Sequence, residues 1–194
     1  MANESIAEAQ VERASSERGR PPVAVVPAWV LAATAVSAAV FTLGLLTASA
    51  GALDITYTAQ ETVLFVVLAT IGRLVAVVVQ AAVVGGAAGT VGTLRVTRRG
   101  LLVATFLGQV PLAIRDVLLG VLALAGVLEM SRVVTLALSP LDPFTLIAVW
   151  VFYRRARALE LGDRRTLVQV VVAFAAYLYV LRLAIFAIGV VPGA

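Results

Sequence analysis

The sequence predicts an all-α, polytopic integral membrane protein with five transmembrane helices, its N-terminus cytoplasmic and its C-terminus outside. Three observations carry this expectation. Of 194 residues, 61% are hydrophobic and 13% charged, with a mean hydropathy of +1.03, against about 45–50% apolar and about 25% charged in soluble domains. Apolar runs of the roughly 20 residues needed to cross about 30 Å of hydrocarbon recur along the chain. Arginines, finally, gather in alternate connecting segments, as the positive-inside rule requires.

Residues 1–22, MANESIAEAQVERASSERGRPP, read as a polar cytoplasmic tail in which Glu4, Glu8, Glu12 and Glu17 face Arg13, Arg18 and Arg20. A disordered segment is expected, the alternative being a short helix over 5–16 that docks on a partner through the thin apolar face of Ile6, Ala9 and Val11. Its acidic character, and an apolar run longer than a signal core of about 7–15 residues, argue against a secretory signal. Residues 23–194 form the transmembrane domain.

The first span is expected over 27–50, before GALDITYTAQET, which carries Asp54 and Glu61 and no basic residue. The second covers 63–92 and stops at Arg95, Arg98 and Arg99. The third lies within 101–128, where Pro111 and the adjacent Arg115 and Asp116 interrupt it. The fourth is centred on 144–153, which spans only about 15 Å. It is completed either by 133–138, with SPLDP as a break, or by continuation through 154–161 with arginines snorkelling. The fifth covers 166–190. The tail holds three arginines, the segment after span two three and that after span four five, whereas the opposite loops hold none, one (Arg132) and none. Five spans satisfy the charge rule at every loop.

All fifteen basic residues are arginine, and the chain has no Lys, His or Cys. This bias points to a GC-rich prokaryotic genome, hence the plasma membrane of a prokaryote. The missing residue types remove disulfides, thiolate nucleophiles, zinc-cysteine sites and the commonest general base, as well as Ser-His and Ser-Lys pairs. LGDR, 161–164, is similar to the Gly-Asp of intramembrane aspartyl proteases. It falls in a basic loop, however, and a second intramembrane Asp for a dyad is missing. No catalytic, cofactor or metal site is therefore expected. The pI near 10.3 reflects arginines flanking apolar segments, not a nucleic-acid surface.

Two groups of residues stand out. GGAAGTVG contains Gly85 and Gly89 at the small-xxx-small spacing that lets helix backbones approach, in this chain or another. It lacks the ending of a phosphate loop. The intramembrane charges Arg73, Arg115, Asp116 and Arg182, with Gln80, Gln109 and Gln169, form the second group. Each charge costs roughly 2.5–3.5 kcal/mol at mid-bilayer, so such groups turn to protein or water. Sequence neighbours point about 100° apart on a helix, so Arg115 and Asp116 are not expected to form a self-contained pair. Arg115 is expected to reach the Leu107 carbonyl freed by Pro111, or the interface. Asp116 needs an arginine from another span, with Arg182 favoured over Arg73 by depth and side-chain tilt and the interior left net positive.

RRGLLVATFLGQVPLAIRDVLLGVLALA resembles the segment after the second span in the Yip (Rab-interacting) membrane protein family, where a basic, amphipathic stretch leads to a proline. LSPLDPFTLIAVWVFYRRARALELGDRRTLVQVVVAF is similar to that family's closing unit, with its Asp-Pro-Phe opening, basic span end, Gly-containing turn and final span. The resemblance covers roughly 60–190. It implies, as in prokaryotic members, five spans, a cytoplasmic N-terminus and no assigned activity. The Asp-Leu-Tyr-Gly-Pro stretch of eukaryotic members is missing, so no GTPase or trafficking role is carried over. The sequence leads to a non-enzymatic organiser or accessory subunit of a membrane assembly, with lipid and other membrane chains or further copies of itself as partners. The alternative is a small transporter or channel subunit whose Arg/Asp core handles an ion or anion. The two differ in whether that core borders a wet cavity or a packed interface.

Overall fold

A computed structural model describes residues 26–89, 98–139, 142–159 and 164–189, with the side chains of 98, 99, 138 and 182–189 outside the description. The tail 1–22 and most of LGDR also lie outside it. Six helices follow one another: α1 (Ala28–Leu53), α2 (Ala59–Gly89), α3 (Arg98–Leu124), α4 (Met130–Leu138), α5 (Pro143–Ala158) and α6 (Arg164–Gly189). Four of them, α1, α2, α3 and α6, are long and apolar enough to cross a membrane. Their outward faces carry large apolar side chains such as Trp29, Leu64, Phe65, Ile71, Leu118 and Val172 in the open. A water-soluble surface does not tolerate apolar patches of that extent.

Local chemistry sets the helix ends. At the start of α2, Thr58 and Glu61 form a reciprocal cap: the Glu61 amide donates to Thr58 Oγ1, and the Thr58 amide donates to Glu61 Oε2 at 2.8 Å. Two orphan amides are thereby satisfied. Helix α1 ends on Asp54, whose φ of 52° places it in the left-handed region while its amide donates to the Ala50 carbonyl. A short polar side chain tolerates that conformation better than most. Helix α5 begins with Asp142 as N-cap and Pro143 in the first turn, where a missing amide N–H is harmless. Its last turn carries Arg155 and Arg157 exposed, preceded by exposed Arg154, which lies 5.3 Å over the Trp150 ring.

Helix α3 is the centre of the bundle. It packs against α1, α2, α4 and α5, while α6 closes the far side against α2, α5 and α4. Over half of the apolar span of α3 is buried, against 6% for α2. Residues 101–110 are part of this one helix, continuous through Pro111. Leu101, Ala104 and Leu112 join Val84, Ala148, Phe152, Val170 and Phe174 in the main apolar cluster. There Phe152 and Phe174 stack with centroids 4.1 Å apart. Gly108 leaves them room, since a Cβ on it would lie 2.9 Å from Phe174 Cζ.

Close backbone approach occurs where α1 meets α3, at Gly44 and Gly120. Gly85 and Gly89 do not provide it within the chain: nothing among the described residues comes within 4 Å of a Cβ built on either. The spacing is present, but it lies on a face of α2 that no described helix covers. The fourth apolar region is two helices and not one, since α4 and α5 are separated at 139–142 and α5 also runs on to Ala158. The two segments expected to lengthen the fourth apolar region are both helical where described, as α4 and as the end of α5. At about 1.5 Å per residue, the 16 residues of α5 reach about 24 Å.

Candidate functional site

The break between α4 and α5 stands beside Arg115, and a continuous line of polar groups starts there. Arg115 Nη1 donates to Asp142 Oδ2 at 2.9 Å and to the Ala137 carbonyl at 3.1 Å. It thus satisfies the last turn of α4 and holds the residue that caps α5. Asp142 itself accepts from the Phe144 amide and the Thr145 hydroxyl. On its other edge, Arg115 donates from Nε at 3.0 Å and from Nη2 at 2.6 Å to Asp116 Oδ1. Asp116 Oδ2 lies 3.2 Å from Arg73 Nη2 on α2.

The line continues without charge. Arg73 Nη2 also donates to Gln109 Oε1 at 3.4 Å, Gln109 Nε2 to Gln80 Oε1 at 2.5 Å, and Gln80 Nε2 to the Phe174 carbonyl at 3.2 Å. From Asp142 to Phe174 it ties α5, α3, α2 and α6 together. Asp142, Arg115, Asp116, Gln109 and Gln80 are all buried. Burying one charge is costly, and alternating two carboxylates with two guanidiniums offsets that cost, because each buried ion has a hydrogen-bonded counter-ion.

Beside this line lies a cavity of about 250 Å³. Arg73, Arg115 and Asp116 form its charged side, Thr42 adds a hydroxyl, and Phe41, Leu45, Leu112, Val134, Leu178 and Leu181 are among its apolar walls. Five helices contribute. Two donors or acceptors remain over in the bundle: Arg73 Nε and Gln169 Oε1 are buried without a hydrogen-bond partner among the described residues.

The structure brings together three of the four charges singled out from sequence, Arg73, Arg115 and Asp116. The side chain of Arg182 lies outside the described residues. Arg115 and Asp116 do touch, because the long arginine side chain folds back across the 100° between neighbours, but the pair is not self-contained, as expected, since Asp142 and Arg73 hold its two outer edges. Two expectations are corrected. Arg115 does not turn to the Leu107 carbonyl or the interface, since the α4–α5 break offers it a carboxylate and a terminal carbonyl. Within the described cluster the interior is not net positive, since Asp142 supplies a second carboxylate to match the two arginines. Sequence reasoning missed Asp142 by treating SPLDP as a connection. The available signal was the N-cap pattern of Asp followed by Pro.

Among the described residues no group of three His, Cys, Asp or Glu side chains could hold a metal ion. Searches against protein-family models, characterised proteins and solved structures find no match to this chain.

Proposed function

We propose that this chain is a five-span integral membrane protein of a prokaryotic plasma membrane, N-terminus inside, that acts without catalysis as an organiser or accessory subunit of a membrane assembly. In this reading α1, α2, α3 and α6 each cross the bilayer, and α4 with α5 makes one broken crossing. Irregular backbone at that depth is tolerated where protein covers it, and Arg115 covers the break. The resemblance to the Yip family contributes to the proposal, since Asp142, Pro143 and Phe144 open α5 and its arginine-rich end leads to the final helix.

The observation that carries the reading is the use of the charges. In the described bundle they are spent on tying helices to one another, through an alternating Asp142–Arg115–Asp116–Arg73 line, which fixes register. The small-residue face at Gly85 and Gly89 is meanwhile left open to a helix of another chain. Affinity purification of the full chain in mild detergent, with identification of co-purifying chains, tests this. Stoichiometric recovery with another membrane chain or a second copy is expected, and elution as a lone monomer would sink it.

A second reading, a small transporter or channel subunit handling an anion, is favoured by one observation: Arg73, Arg115 and Asp116 border a cavity and not only a packed interface. Anion flux in liposomes that is lost in Arg73→Gln would support it over the first.

A further inference from the structure

The cavity beside the ion-pair line has an asymmetry that points to a ligand, independently of the assembly reading. Of its charged lining groups, two are fully engaged. Arg115 donates from Nε and from both terminal nitrogens, and both Asp116 oxygens have cationic partners. Arg73 differs: Nη2 serves Asp116 and Gln109, while the buried Nε has no partner among the described residues. The rest of this guanidinium belongs to a side chain that is 24% exposed, and it keeps donor capacity on the cavity wall that an anion would use.

Among the described residues two guanidiniums and one carboxylate, Arg73, Arg115 and Asp116, line the cavity. Asp142 meets Arg115 at the helix break, outside the lining, and makes the four-membered cluster neutral. What the wall still offers a ligand is donor N–H on Arg73, which suits an anion and not a cation. Apart from Thr42 the other walls are hydrocarbon, from Phe41, Leu45, Leu112 and Leu178 among others. A small hydrated anion would lose its water against them with nothing in return. A head group carried on a chain matches both surfaces.

We propose that this cavity binds an anionic amphiphile, a carboxylate or phosphate head group on Arg73 with its hydrocarbon chain along the α1, α3 and α6 wall. The volume, about 250 Å³, lies just under the ~300 Å³ at which small-molecule pockets begin. It takes a head and the first part of one chain, not a whole two-chain lipid.

The test uses the full chain in an uncharged maltoside detergent, with melting temperature followed as four probes are titrated: decanoate, decyl phosphate, decanol and inorganic phosphate. Decanoate and decyl phosphate should raise the melting temperature to a plateau, while decanol and inorganic phosphate at the same concentrations should not. Arg73→Gln should weaken the apparent decanoate affinity about tenfold or more, the worth of a charged hydrogen bond. Because that change also breaks the Asp116 pair, Ala69→Phe is the second variant. It fills the cavity one turn from Arg73 with every charge kept, and should fold with a melting temperature at or above wild type yet lose the decanoate response. An equal response to decanol would reduce the cavity to an apolar hole. An equal response to inorganic phosphate would assign it to a free anion, and an undiminished decanoate response in Ala69→Phe would place the binding elsewhere; each overturns the proposal.

Discussion

Gly44 and Gly120 lie back to back where α1 passes α3: a Cβ on Gly44 would sit 2.7 Å from the Gly120 Cα, and one on Gly120 would sit 2.5 Å from the Val40 carbonyl oxygen. Both neighbours are backbone, so neither can rotate away. Gly120→Ala should therefore push the two helices apart and destabilise the bundle by about 1–3 kcal/mol, as overpacking does. Gly85→Ala and Gly89→Ala meet open space and should leave the chain as stable or slightly more so, since Ala is the better helix former. Melting temperatures of the three variants in one detergent decide this, and equal losses at all three would contradict it.

The Arg73–Asp116 pair joins two helices and should show energetic coupling. Asp116→Asn strands Arg73 and half of Arg115, and breaking a buried pair costs about 3–5 kcal/mol. Adding Arg73→Gln should recover part of that loss, giving a coupling of about 0.5–3 kcal/mol. Chemical unfolding of the two single variants and the double variant measures it. Strict additivity would mean that the 3.2 Å contact contributes nothing.

Asp142 has two jobs that substitution can separate. Asn retains the capping oxygen and loses the charge, whereas Ala loses both. Asp142→Ala should therefore be the more damaging, by the roughly 0.5–2 kcal/mol of an N-cap, over and above the loss at Arg115 that both variants share. If Asn and Ala prove equally harmful, the cap at Phe144 is not contributing.

Topology is open to cysteine scanning, since the chain has no Cys of its own. Under the proposed orientation, single cysteines at positions 98 and 157 should escape an impermeant thiol reagent in intact cells. Positions 54 to 61, exposed around the α1–α2 connection apart from half-buried Tyr57, should react. Labelling at 98 or 157 would reverse or reduce the number of crossings.

Much of this architecture is legible from periodicity and punctuation. The four long helices fall within a few residues of the apolar runs, because length and hydrophobicity depend on local composition. What escaped depends on which helices meet. Gly44 and Gly120 carry no spacing motif and become important only because α1 and α3 cross there, whereas Gly85 and Gly89 have the motif on a face that no described helix covers. Asp116 announced its need for a partner by its cost, but the choice of Arg73 is a matter of helix placement. Asp142 was hidden because a helix break inside an apolar region reads as a loop until the arginine that sits on it is known.

The broken pair α4 and α5 also bears on how the chain is made. Neither the 9 residues of α4 nor the 16 of α5, three of them arginines near its end, offers the insertion machinery a segment as long and greasy as its neighbours. As the proposed broken crossing, α4 and α5 would enter lipid after α3, whose Arg115 supplies a counter-ion for Asp142 and a donor for the end of α4. On the proposed five-span reading the bundle is assembled in an order, with the third helix acting as a template synthesised before the elements it rescues. Defects at Arg115 should surface first as chains degraded during biogenesis, before any fault in the finished protein can be seen.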